Sequence, residues 1–84
     1  MKETDRNYDL ASQIVKDALA FVDLKIQTES KFDDFKHTHN ADGWREVRKQ
    51  IVYAAENYDA YDIYKRRNRY TEEGLMKWAS PYLW

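Results

Sequence analysis

The sequence predicts an all-α fold, a small helical bundle built on an antiparallel helical hairpin plus one or two short helices. Only two of the 84 residues are glycine and one is proline, whereas an all-β chain needs a turn signal about every 8–12 residues. Hydrophobic residues make up 43% and charged residues 35%, a balance typical of folded chains. Two long segments repeat apolar residues at helical spacing. A chain of this length forms one domain, which we assign to residues 1–84.

The first predicted helix covers residues 5 to 27. Its apolar residues recur at alternating steps of three and four, and others flank them on both sides, so the apolar face covers about half of the helix circumference. A face this wide predicts contacts with more than one neighbouring helix. The recurring residues are Tyr8, Ala11, Val15, Ala18 and Val22.

The segment between residues 28 and 43 has weaker periodicity. Ser30 followed by Asp33 resembles a helix-capping pair, which predicts a short helix over about 31 to 37 and then a connection through His39, Asn40 and Gly43. The alternative is that the first helix continues to His37.

The second long helix is predicted over 44 to 68, with Asp42 as its N-cap. Its packing seam repeats at steps of 3, 4, 3, 4, 3 and 4 and is expected to lie against the first helix. Tyr58 and Tyr61 belong to this seam and are expected in the core, whereas Tyr53 and Tyr64 lie on the opposite side. The seam consists of Trp44, Val47, Ile51, Ala54, Tyr58, Tyr61 and Lys65.

A short C-terminal helix is predicted over about 72 to 79. Thr71 is the expected N-cap, and Pro81 disfavours a helical Ser80. The residues after Pro81 are too apolar for a solvated tail. We expect Tyr82, Leu83 and Trp84 to dock on the bundle or on a second chain.

Composition and motifs argue against several classes of function. Without cysteine, disulfides and thiol metal sites are excluded. No leader-like or membrane-spanning apolar run is present, so a cytosolic location is expected. No phosphate loop, nucleophile elbow or metalloprotease motif occurs. Of the acids and histidines at 33–39, spacing places only Asp33 and His37 together, too few for a metal site. The sequence therefore predicts no enzyme, no metal site and no cofactor.

Charge is divided unevenly along the chain. Residues 1–43 carry six Lys/Arg and nine Asp/Glu, whereas residues 44–84 carry eight and six. A net −3 beside a net +2 favours packing between the two halves.

The second aromatic side of the helix over 44–68 is the informative feature for function. It predicts a non-enzymatic protein–protein interaction module, an adaptor or inhibitor of a larger protein or complex, with basic side chains that steer an acidic partner. A third helix, the C-terminal segment or a homodimer would be other ways to cover this side. The alternative function is nucleic-acid backbone binding by the Lys65–Arg69 strip, although the net charge of −1 is unfavourable for it. The candidate site comprises Tyr53, Tyr64, Lys65, Arg66, Arg67 and Arg69.

Overall fold

The structure, a computed structural model, describes the backbone of residues 3–84 and the side chains of residues 9–84. Within residues 3–84, four α-helices follow in order: α1 (Glu3–Ser30), α2 (Phe35–Asn57), α3 (Ala60–Lys65) and α4 (Glu72–Ala79). Two short 3-10 helices cover Arg67–Tyr70 and Ser80–Tyr82, and no strand occurs between residues 3 and 84. The predicted all-α hairpin bundle is confirmed. The expected place of Tyr8 on the apolar face of α1 falls outside the described side chains.

Helices α1 and α2 form the antiparallel hairpin. Near the connecting turn, His37 Nδ1 lies 2.6 Å from a Glu29 carboxylate oxygen. Further along, the Arg48 guanidinium lies 2.9 Å from the Asp23 carboxylate. Both pairs are exposed or half-buried, so each contributes little to stability. They join residues that the antiparallel arrangement brings opposite each other.

A single hydrophobic core lies between the hairpin and the C-terminal helices. Each fully buried large apolar side chain contributes about 1.5–3 kcal/mol, so these residues outweigh the surface ion pairs. No helix within residues 3–84 has the length and apolarity needed to cross a bilayer. The core is formed by Ala11, Ala18, Val22, Trp44, Val47, Ile51, Ile63, Tyr70, Leu75 and Ala79.

The turn between α1 and α2 differs from the sequence prediction. The expected short helix over 31–37 is wrong, as is its alternative of α1 continuing to His37. Asp34 caps α2 instead, because its side chain accepts a 2.8 Å hydrogen bond from the His37 backbone N–H. His39, Asn40 and Gly43 therefore lie inside α2 rather than in a connection, and the expected cap Asp42 pairs with Arg45 on the surface.

The predicted single helix over 44–68 is also wrong, because α2 ends at Asn57. Tyr58 and Asp59 are extended, and Asp59 then caps α3 by accepting a 2.9 Å hydrogen bond from the Asp62 N–H. The break forfeits a few backbone hydrogen bonds at about 0.5–1.5 kcal/mol each. The new cap, at about 1 kcal/mol, and the burial of Ile63, at about 1.5–3 kcal/mol, offset that loss.

The break changes which side chains enter the core after Ala54. Tyr58 is 45% exposed and Tyr61 is 57% exposed, so their expected place on the buried seam is wrong. Ile63, which lies outside the seam, is buried in the core instead. The seam residues are buried as far as Ala54. Beyond the break, Ile63 of α3 packs into the core in place of the later seam residues.

The predicted C-terminal helix is confirmed. The expectation that Pro81 disfavours a helical Ser80 is wrong, because Ser80 has φ −46° and ψ −45° and begins the 3-10 helix Ser80–Tyr82. Thr71 caps α4 by accepting a hydrogen bond from the Gly74 N–H, and α4 ends just before Ser80. The last residues run back along α2: Tyr82 accepts a 3.0 Å hydrogen bond from Gln50. The backbone N–H of Trp84 donates a 2.7 Å hydrogen bond to the side-chain oxygen of the buried Asn40. The expected docking of the last residues on the bundle is confirmed.

Gly43 provides the space for this docking. A Cβ atom at position 43 would lie 2.5 Å from the Tyr82 carbonyl oxygen, a distance at which the backbone must move. Gly43 therefore reflects a close approach of two chain segments and not a turn.

We predict that Gly43→Ala lowers the free energy of unfolding by about 1–3 kcal/mol through this overlap. An ordinary helical Gly→Ala change raises it by about 1 kcal/mol, so the sign alone is decisive. Urea unfolding followed by circular dichroism measures the change. Ala55→Gly, at an exposed position of the same helix, calibrates helix propensity alone. A more stable Gly43→Ala protein would contradict the prediction.

Candidate functional site: an aromatic groove between α2 and α4

The residues of the predicted site lie on three different elements. Tyr53 is on α2, Tyr64 and Lys65 are on α3, Arg66 ends α3, and the other two arginines belong to the following 3-10 helix. The hypothesis of one helix face carrying Tyr53, Tyr64 and Arg67 is wrong in its geometry, because it requires the unbroken helix over 44–68. The break divides these residues between separate helices.

Tyr64 and Arg67 form one group. The Arg67 guanidinium lies 4.7 Å from the centre of the Tyr64 ring, and it donates a 3.3 Å hydrogen bond to the Tyr64 carbonyl oxygen. Arg67 borders a cleft that Ile14 and Phe21 of α1 also line. The cation covers one face of the half-buried ring, so this pair is largely satisfied within the chain.

Tyr53 and Arg69 belong to a second group, which lines a groove of about 340 Å³ between α2 and the segment that contains α4. Tyr53 is 61% exposed and forms one wall. We call this site the aromatic groove; its lining residues are Glu46, Lys49, Gln50, Tyr53, Ala54, Tyr58, Arg69, Tyr70 and Trp78.

The wall opposite Tyr53 is rigid. The rings of Tyr70 and Trp78 pack edge to face at 5.8 Å, and the Arg69 guanidinium lies 4.4 Å from the centre of the Trp78 ring. The Trp78 indole N–H donates a 2.7 Å hydrogen bond to the Gln50 side chain, which in turn donates to Tyr82. This chain of contacts ties α4 to α2 beside the groove.

The charge around the aromatic groove is mainly positive. Lys49 and Arg69 line it, with Glu46 as its one acidic lining residue. Within residues 9–84, the arginine and lysine ion pairs join Arg45 to Asp42, Arg48 to Asp23 and Lys77 to Glu73. In that same range, neither lining cation has a carboxylate partner, nor do those of the Lys65–Arg69 strip.

The hydroxyl of Tyr70 lies in an environment that raises its pKa. Burial raises the pKa of its hydroxyl above the ordinary value of 10.0, and the nearby charges of Arg69 and Arg66 oppose this effect in part. The ring is buried, so the neutral form is favoured. At physiological pH the hydroxyl is therefore a hydrogen-bond donor at the base of the groove.

The acids and histidines of residues 33–39 serve the turn. His37 lies against Glu29 and stacks on Phe32 with ring centres 4.3 Å apart. His39 instead faces Trp84. Among the described residues, no three His, Asp or Glu side chains are placed to hold a metal ion.

Sequence reasoning identified Tyr53 and Arg69 but missed the rest of the groove. Lys49, Tyr70 and Trp78 come from segments that only the tertiary fold brings together. The one available signal was the adjacent pair Arg69 and Tyr70, with Trp78 eight residues after Tyr70.

No protein-family model, curated protein or solved structure gives a significant match to the chain.

We predict that the free energy of unfolding falls as pH rises above about 10, and that Tyr70→Phe removes part of this fall. Because the pKa of Tyr70 is raised in the folded state, unfolding releases a proton at alkaline pH. The stabilisation is therefore complete below pH 10 and is lost as pH rises through the folded pKa.

Urea unfolding of both proteins between about pH 8 and 11.5 measures this difference. Tyr61→Phe, at an exposed tyrosine, is the matched control and should follow the parent protein. Parallel pH profiles for the parent and Tyr70→Phe would contradict the prediction.

Proposed function

We propose that this protein is a small non-enzymatic interaction module, an adaptor or inhibitor, that binds an acidic segment of a partner protein in the aromatic groove. The observation that carries the proposal is an aromatic groove bordered by cations without carboxylate partners in residues 9–84. Tyrosine, tryptophan and arginine are the residues that most often dominate protein–protein binding energy. The expected cytosolic location stays a prediction.

The residues of the groove differ in burial and in the contacts that hold them, so they have different roles in binding. Trp78 and Tyr70 are fixed by packing and by the Gln50 hydrogen bond, so little side-chain entropy is lost when a partner binds. Tyr53 is exposed and can close over a bound side chain. An aromatic or aliphatic side chain of the partner fits between these rings.

The cations select an acidic partner. Lys49 and Arg69 line the groove, and a carboxylate beside the partner's apolar anchor would pair with them. The remaining residues of the predicted site, Lys65, Arg66 and Arg67, extend the positive charge beyond the groove. Such peripheral charges mainly increase the association rate and make it sensitive to salt.

Selection of random peptides displayed on phage, with the whole protein immobilised, tests the proposal. We expect enrichment of peptides that combine Asp or Glu with one aromatic or aliphatic anchor. A synthetic enriched peptide should then bind about 5–30-fold more weakly to Arg69→Ala or Tyr53→Ala, as for typical interface anchors. Isothermal titration calorimetry measures the affinities.

Matched control variants exist in the same chain. Arg45→Ala removes an exposed arginine from α2 outside the groove, and Tyr61→Ala removes an exposed tyrosine from α3. Both should bind as the parent protein does. Enrichment of neutral or basic peptides, or equal losses in the groove and control variants, would count against the proposal.

Nucleic-acid binding, the alternative function, gives a different result in a parallel measurement. Labelled single-stranded RNA and duplex DNA at low salt would bind with an affinity that falls steeply as salt increases and that depends on Arg66 and Arg67. Binding of this kind, together with a failed peptide selection, would favour the alternative.

A further inference from the structure

The link between α2 and α3 is a two-residue hinge. Tyr58 has φ −101° and ψ 148°, and Asp59 has φ −78° and ψ 167°. Both φ angles are already negative, as in a helix, so the extended conformation differs from the helical one mainly in ψ. Rotation at these two residues would join α2 and α3 into one helix from Phe35 to Lys65 without refolding either part.

The amino-acid pattern favours the joined helix as well as the broken one. The 3-4 repeat that begins at Trp44 continues through Tyr58 and Tyr61, across the hinge. In the structure these two tyrosines are exposed. In a joined helix they would extend the same apolar stripe as Val47 and Ile51. The chain thus carries a second packing surface that the folded-back monomer does not use.

Joining the helices would also remove the residues after Asp59 from the hydrophobic core of their own chain. Four of the ten core residues lie beyond the hinge, and the hairpin left behind would expose the apolar surface that they cover. A second chain in the same state offers the matching segment. These four residues are Ile63, Tyr70, Leu75 and Ala79.

We propose that two copies of this chain form a dimer by exchanging residues 60–84, with Tyr58 and Asp59 as the hinge. Each exchanged segment packs on the hairpin of the partner copy, and the joined helices place Tyr58 and Tyr61 of both copies at the new contact. Exchange of a short-hinged element is a low-cost route to a symmetric dimer. The interface then contains core residues, as obligate interfaces do.

The exchanged dimer keeps the monomer's contacts between the hairpin and residues 60–84 but makes them between copies. The hydrogen bond from the Trp78 indole to Gln50, 2.7 Å in the monomer, joins α4 of one copy to α2 of the other. The hydrogen bond from the Trp84 backbone N–H to the Asn40 side chain likewise joins the two copies. This conversion separates an exchanged dimer from one formed by simple docking.

Asp59 controls the balance between the two forms. Its carboxylate accepts the Asp62 N–H only while α3 starts as a separate helix. In the joined helix that N–H bonds to the backbone carbonyl of Tyr58, and the cap is no longer needed. Loss of the cap therefore destabilises the folded-back monomer and leaves the dimer unaffected.

The test compares Asp59→Ala with Asp59→Asn, which keeps a capping oxygen. Each protein is refolded at several concentrations and its mass is measured by light scattering after size exclusion. Because two caps are lost for each pair of chains, Asp59→Ala should raise the dimerisation constant roughly 30-fold. Asp59→Asn should remain close to the parent. A Gly-Gly insertion between Tyr58 and Asp59 lengthens the hinge and should suppress the dimer.

Mixed isotope labelling identifies the exchange itself. Labelled and unlabelled chains are refolded together, and isotope-filtered NOEs are recorded from the Trp78 indole to the Gln50 side chain. An NOE between copies supports the proposal. A dimer whose Trp78–Gln50 NOE stays within one chain would overturn it, as would a monomeric Asp59→Ala protein at all concentrations. If Asp59→Ala does not fold, the dimer fractions of the parent protein and the Gly-Gly variant provide the test. Equal dimer fractions in those two would refute the exchange.

Discussion

The departure of the chain from the axis of α2 after Asn57 is the constraint on which the C-terminal half of the structure depends. Because Tyr58 and Asp59 are extended, α3 turns towards α1 and Ile63 enters the core. The chain then returns along α2, so that Trp78 meets Gln50 and Trp84 meets Asn40. A continuous helix would carry the same residues beyond the end of the hairpin, where no other part of the bundle could cover them.

The aromatic groove is therefore a product of topology and not of a single helix face. Its two walls are separated by many residues in the sequence, and one hydrogen bond to Gln50 ties them together. The α4 side supplies the packed rings of Tyr70 and Trp78 with Arg69, and α2 supplies Tyr53 and Lys49. Residues that a helical wheel places side by side, such as Tyr53 and Tyr64, lie on separate helices. Tyr53 and Arg69, which lie far apart on that wheel, line the same groove.

The parts of the fold that sequence reasoning predicted are those governed by local rules. Helical periodicity located α1 and most of α2, and Thr71 located the start of α4 through capping. The proline rule was wrong for Ser80, which keeps helical backbone angles and begins the following 3-10 helix. The break escaped prediction because the apolar repeat continues across it. What decides it is the capping by Asp59 together with burial of Ile63 against distant parts of α1, a tertiary effect that outweighs local propensity. Local patterns likewise do not show that Lys49, Tyr70 and Trp78 line the same groove as Tyr53.

The two glycines of the chain both lie inside helices with ordinary negative φ angles. Added methyl groups would meet backbone atoms, the Tyr82 carbonyl oxygen at 2.5 Å for Gly43 and the Asn68 carbonyl oxygen for Gly74. Many surface residues tolerate substitution, whereas a larger side chain at either glycine would overlap with backbone atoms. A pair of mid-helical glycines 31 positions apart, the second three residues after a capping threonine, should thus persist as a signature in divergent homologues whose overall identity has faded.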